Sequence, residues 1–248
     1  MPLATNPELF KPHLCDDGGD SAISFVGDSL QAAVAKWQRK VPTETWEKVA
    51  PLAVSRQLAS RRRSMAEVMA ELAPLVSPGV NLTDLEAALA WKVTQEYRHR
   101  LTKALLPQRV LVYGDTGWQN LLGEYQGLRP PVNYFKELPR LYATSAVNLN
   151  ATSFQMPSAV NQRVFDVAAT GGFVISDHQA DMDILFEVGK EAACYGSIEE
   201  AAALAAWYLR QEDERRRIAQ EGRKRVLAEH TYVQRMQELV LRMRTKFS

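Results

Sequence analysis

Apolar residues along the chain alternate between two spacings: short continuous β-branched or aromatic runs, and stretches in which they recur every three or four positions. Ala22-Ile23-Ser24-Phe25-Val26 stops at Gly27-Asp28-Ser29, after which Leu30, Val34 and Trp37 follow at helical spacing, predicting strand, glycine turn and helix. Over about 42–107 the pattern is helical throughout, punctuated by Pro42, Pro51, Pro74 and Pro78. Within it, Thr83-Asp84-Leu85-Glu86 reads as a capping box. Leu85, Leu89, Val93, Tyr97, Leu101 and Leu105 then repeat every four residues, a stripe that must be buried against other elements.

The spacing changes again after Pro107. Strands are predicted over 109–113, ending at Gly114-Asp115-Thr116-Gly117, over 146–150, over 173–176 after Gly171-Gly172, and around Ala193-Cys194-Tyr195. Helices are predicted over 136–143, near 160–169 and around Leu185, and residues 197–248 read as helix after helix with Gly222 as the one obvious weak point. Strands alternating with helices predict an α/β, Rossmann-like parallel sheet, and glycine-rich turns place any ligand at its carboxyl edge. The block at about 42–107 is too long for an ordinary crossover and reads as a helical insertion. Pro2, Pro7, Pro12 and the run Asp16-Asp17-Gly18-Gly19-Asp20 make residues 1–20 an expected linker, leaving 21–248 as the domain.

Composition narrows the function classes. With 46% hydrophobic residues and 30 basic against 29 acidic side chains in 248 positions, the chain is globular and does not present a bulk-charge surface for nucleic acid. The Arg61-Arg62-Arg63 run reads as a solvated helix face. Cys15 and Cys194 are too few for a disulfide framework or a cysteine zinc site, and His13, His99, His178 and His230 show no metal-ligand spacing, so no metal or cofactor is expected. No stretch has the length and apolarity of a membrane span and the N-terminus lacks a leader pattern; the expected location is the cytoplasm.

Candidate chemistry lies at the strand ends. Gly27 can admit a phosphate to the amides that open the following helix, or simply make a tight turn, and the same two readings hold for the turn at 114–117. In Asn161-Gln162-Arg163-Val164-Phe165-Asp166, Arg163 can contact a diphosphate and Asp166 can accept from a ribose diol; equally, the two can form an ion pair within the helix. His230, in Glu229-His230-Thr231-Tyr232, reads as structural, with Thr231 capping a final helix.

Several ordered segments together resemble the CgeB-like spore maturation family of glycosyltransferases, in its C-terminal half. They are Ala4-Thr5-Asn6-Pro7-Glu8-Leu9-Phe10, Ser24-Phe25-Val26-Gly27, Glu137-Leu138-Pro139-Arg140-Leu141-Tyr142 before Val147-Asn148-Leu149-Asn150, Asn161 to Asp166 with Gly171-Gly172, and Glu229-His230-Thr231-Tyr232 with Arg235. The resemblance implies one half of a GT-B architecture and a donor-binding domain for a nucleotide-diphosphate sugar. It implies that Asp166 holds the ribose, that Arg163 and Asn161 contact the diphosphate or sugar, that Gly27 lines the site, and that the loop 127–134, with Val132 and Tyr134, frames the base. Related transferases with two Glu eight positions apart would need an acid where Ser158 stands. The chain begins in what resembles the linker after an N-terminal domain, so the acceptor is expected on that domain or on a partner protein, the helical insertion covering part of the exposed surface. No catalytic residue is assigned. Other readings are a protein-interaction module that kept the fold without turnover and a nucleotide-sugar epimerase of similar fold.

Overall fold

The structure, a computed structural model, describes residues 1–13, 22–60 and 63–247. The run from Asp16 to Asp20, Cys15, Arg61 and Arg62 lie outside the described residues. Six parallel strands form one sheet in the order β3-β2-β1-β4-β5-β6: β1 Ile23–Val26, β2 Leu111–Tyr113, β3 Leu128–Arg129, β4 Val147–Leu149, β5 Val174–Asp177 and β6 Ala193–Tyr195. Ser24 is in register with Leu111 on one side and Asn148 on the other. The chain therefore builds outward from β1 in one direction and from β4 in the other, and the crevice between their carboxyl ends is the position where open α/β sheets take ligands.

The strand period of two sorts the core. Ile23, Phe25, Leu149, Ile175 and Tyr195 point into one hydrophobic layer, while Val26, Val174 and Cys194 point into the other. The first layer is covered by α1 Gln31–Gln38, α2 Thr43–Ala59, α3 Met65–Leu72, α4 Leu82–Ala104 and α9 Ile198–Leu209, with α5 Gly117–Leu122 alongside. The second is covered by α6 Leu138–Thr144, α7 Gln162–Ala169, α8 Met182–Leu185 and α10 Glu212–Glu229. A last helix, α11 Tyr232–Phe247, carries Val233, Met236, Val240 and Leu241 exposed.

The four-residue stripe is buried over its full length, from Leu85 to Leu105. Its helix is capped differently from the expectation: Asn81 is the N-cap, its Oδ1 accepting from Thr83 N at 3.0 Å and Asp84 N at 3.2 Å. Asn is as good a cap as Thr, and starting at Asn81 adds a helical residue before Thr83. With 23 residues α4 is about 35 Å long, far longer than any strand it covers. Thr94 and Gln95 touch the loops after β4 and β1, so the turns preceding them overhang the carboxyl edge.

Two further expectations are corrected. Gly222 does not weaken the C-terminal helices; it lies inside α10, where a Cβ would stand 2.2 Å from the Glu191 carbonyl oxygen, and the actual breaks fall at Gln211 and His230. The two-residue β3 was not anticipated within the 127–134 loop. Residues 1–13 of the expected linker lie against the domain, with Thr5 bridged to Thr231 in parallel and Phe10 buried between Tyr134 and Tyr142.

Candidate functional site

The two glycine turns hold each other. Asp115 accepts from Ser29 N at 2.8 Å and from Ser29 Oγ at 3.0 Å, and Trp118 Nε1 donates to Gly27 O at 2.8 Å. A Cβ on Gly117 would lie 2.1 Å from Ser29 Oγ, so this glycine serves the close approach of one turn to the other. The tight-turn reading therefore accounts for residues 114–117, while Gly27 remains at the crevice.

The crevice itself is organised by Asn150, immediately after β4. Its Oδ1 accepts from Arg163 Nη1 at 2.7 Å and from Asn161 Nδ2 at 2.8 Å, and its Nδ2 donates to Ser176 Oγ at 2.8 Å. Tyr195 OH donates to the Asn150 carbonyl at 2.7 Å, fixing the backbone as well. Asp177 at the end of β5 accepts from Thr152 N, Thr152 Oγ1 and Gln179 Nε2, each at 2.9 Å, which orders the β4–α7 loop. Arg163 also donates from Nε to Tyr142 OH at 3.3 Å, and its guanidinium carbon stands 6.0 Å from the centre of the Phe25 ring. Asn161 Oδ1 is buried without a hydrogen-bond partner, an uncommon state for a buried acceptor.

The ion-pair reading of Arg163 and Asp166 is not realised: no ion pair joins them, and Asp166 faces the other way, only 1% exposed. Its Oδ1 accepts from Thr5 Oγ1 at 2.7 Å and Gln162 Nε2 at 3.2 Å, and its Oδ2 from Tyr134 OH at 3.0 Å. Burial pushes the carboxyl up to about 6, against the opposing pull of these hydrogen bonds and of the Arg163 charge. Burial and the neighbouring Asp166 charge likewise hold the Tyr134 hydroxyl well above its ordinary range. The predicted site residues thus fall into two adjoining clusters along α7: Asn161 and Arg163 with Asn150 beside the end of β1, and Asp166 with Tyr134. Val132, in the same loop as Tyr134, packs against the second hydrophobic layer.

His230 is structural. It is buried, its Nε2 meets the Leu185 carbonyl at 2.9 Å, its Nδ1 accepts from Arg235 Nη2 at 2.7 Å, and its ring lies against Phe165 and Phe186. Among the described residues, no three His, Cys, Asp or Glu side chains come together as a metal-holding group. No helix is long and apolar enough to cross a membrane among the described residues.

Two residues at the candidate site were not singled out in the sequence. Asn150 was read as the end of a strand and as part of a family-like segment, without a site role, although an amide directly after a central strand stands at the carboxyl edge by topology. Arg98 was hidden inside the helical insertion; it reaches the crevice from α4, donating to the Asp28 carbonyl at 3.0 Å. Above the edge, a groove of about 390 Å³ runs between the overhanging part of α4 at Glu86 and Ala90, α3 at Met65, and the loop at Phe154 and Met156.

No curated protein matches the sequence. Sucrose-phosphate synthase from Thermosynechococcus elongatus superposes over 100% of this chain and 52% of its own, with a TM-score of 0.56 and 14% identity. This chain therefore spans about half the length of that protein. Anabaena HepE, solved in complex with UDP and glucose, aligns with 59% of this chain and 44% of its own at 16% identity and a TM-score of 0.47. The sequence model of the glycosyl transferase-like family matches residues 95–240, more than half of the chain, a span that includes Arg98, Asn150, Asn161 and Arg163 but not β1 or Gly27. The chain belongs to the glycosyl transferase-like family, and its sheet is the Rossmann-like half of a GT-B fold.

Proposed function

We propose that this chain is the donor-binding domain of a glycosyltransferase of CgeB-like type, holding a nucleotide-diphosphate sugar at the carboxyl ends of β1 and β4. The observation that carries the reading is Arg163: a guanidinium aimed by Asn150 and Tyr142 into the switch-point crevice, with no ion pair among the described residues. Such a group binds a phosphate by charge-assisted hydrogen bonds. When the sugar leaves, the bond between its anomeric carbon and the diphosphate oxygen breaks and negative charge grows on the diphosphate, where a fixed cation lowers the barrier. The unpartnered Asn161 Oδ1 suits a hydroxyl donor on the sugar or ribose. In this reading a ribose hydroxyl replaces Tyr134 OH on Asp166 Oδ2, and Val132 and Tyr134 border the base. The acceptor is held by an N-terminal domain or a partner protein.

The test is isothermal titration with UDP, GDP and dTDP and their sugar conjugates, using Arg163→Ala as the control. One nucleotide binds, and the substitution weakens it by roughly 10- to 100-fold, the range for a hydrogen-bonded charge. No binding by any of them removes the reading and leaves an interaction module without nucleotide affinity.

A further inference from the structure

Arg98 lies one position beyond Tyr97 of the buried stripe, so its side chain leaves the core and reaches the end of β1. Around it α4 is tied down: Thr94 Oγ1 accepts from Phe154 N at 3.0 Å and Gln95 Nε2 donates to Ser29 O at 3.4 Å. Arg98 Nη1 donates to Asp28 O, but its Nε is withdrawn from solvent with no partner. A Cβ at Gly27 would stand 3.5 Å from Arg98 Nη1 and 3.5 Å from the Phe25 ring, the ring that Arg163 approaches from the other side of the crevice. Two guanidinium groups, from α4 and α7, therefore flank the end of β1, Arg98 beside Gly27 and Arg163 towards the Phe25 ring, and neither forms an ion pair among the described residues. Burial first, and then repulsion from Arg163, pulls Arg98 down to about 10, against the opposing charges of Asp28, Asp177 and Asp115. Two like charges on partly buried side chains repel each other, and an anion bound by both relieves that repulsion.

We propose that Arg98, supplied by the helical insertion, is the second cation of a two-arginine site that takes both phosphates of a diphosphate ester and discriminates against monophosphates. This deepens the donor-binding reading and rests on it for the identity of the ligand, though not for its diphosphate. Gly27 contributes by leaving the space beside the Arg98 guanidinium free of a side chain. The insertion is thereby a wall of the donor site.

The experiment compares the wild type with Arg98→Met and Arg98→Lys, by titration and thermal shift, against inorganic pyrophosphate, inorganic phosphate, and the mono- and diphosphates of uridine, guanosine and thymidine. The wild type prefers diphosphates; Arg98→Met loses about 10-fold or more on them, changes monophosphate binding less than about 3-fold, and melts no lower than wild type without ligand. Arg98→Lys recovers part of the loss. Diphosphate affinity unchanged in Arg98→Met, or an unliganded melting point that falls while both ligand classes weaken alike, overturns the proposal. Nucleotides that bind through Arg163 but not Arg98 overturn it while sparing the donor reading. Arg98-dependent pyrophosphate binding with no nucleotide binding supports the two-arginine site and removes the donor reading, and no binding of any probe removes both.

Discussion

Replacing Asp166 with Asn isolates the cost of burying one carboxylate. In the unfolded chain the group ionises near 3.8, while in the folded protein burial holds it at about 6. At 1.36 kcal/mol per pH unit, the ionised form costs the folded state about 3 kcal/mol once both states are charged. The sign follows from proton counts. Between about pH 4 and 6 the folded protein binds more protons at this site than the unfolded chain, so this contribution to stability, fully present below 3.8, is lost as pH rises through 6. Asn has the same shape and is neutral at every pH; its amide oxygen still accepts from Thr5 and Gln162, and its NH₂ can donate to the Tyr134 hydroxyl. Asp166→Asn is therefore expected to match wild type near pH 4, gain steadily to about pH 6.5, and level off at up to about 3 kcal/mol, some 6 to 12 °C in melting temperature for a chain of this size. Urea unfolding at half-unit pH intervals, followed by tryptophan fluorescence with the buried Trp118 as reporter, measures the difference directly. A difference that does not change with pH, or a variant less stable than wild type at pH 7.5, refutes the reasoning: the hydrogen bonds to the carboxylate would then outweigh its desolvation.

Two further predictions concern the scaffold. Gly222→Ala, normally favourable inside a helix, is expected to destabilise by about 1–3 kcal/mol because its Cβ meets the Glu191 carbonyl at 2.2 Å; an unchanged or higher melting temperature would contradict the close approach. Leu89→Ala, in the fully buried stripe of α4, is expected to lose about 2–5 kcal/mol in chemical denaturation, and a loss under 1 kcal/mol would show that this helix is not packed on the sheet.

The order of strands and helices was legible because each face of the sheet and the α4 stripe carries its own apolar period, and burial enforces that period over a few residues. Leu85 through Leu105 could be assigned to the core without knowing what covers them. Asn81 was misplaced because Asn81 and Thr83 are both good caps two residues apart, and local chemistry does not rank them. A two-residue strand such as β3 is too short to show a period at all. The candidate site was legible where candidate chemistry and local pattern coincide: Arg163 and Asp166 lie on one short helix after a predicted strand, with Asn161 at its N-cap. That Arg163 and Asp166 turn to different neighbours depends on Asn150, Thr5 and Tyr134, none of which lies within a helical turn of either. Arg98 lay farthest from reach. A polar residue on the flank of a buried stripe looks solvent-facing until the strand end that it meets is known.

The register of β1 also constrains the order in which the chain can assemble. Its partners Leu111 and Asn148 lie roughly 90 and 120 residues downstream of Ser24, so closing the first of these loops in a disordered chain costs about 4 kcal/mol of entropy before any strand pairing offsets it. The packing of α1 on α4, reached through the successive neighbours α2 and α3, removes most of that loop. Once these helices have docked, only the short segments between β1 and α1 and between α4 and β2 remain to be closed, about 10 residues in all, at about 2 kcal/mol. The insertion thus acts as a splint for folding: it turns the most distant pairing of the central strand into a nearly local event, and α1 with α4 becomes the place where the transition state is expected to form.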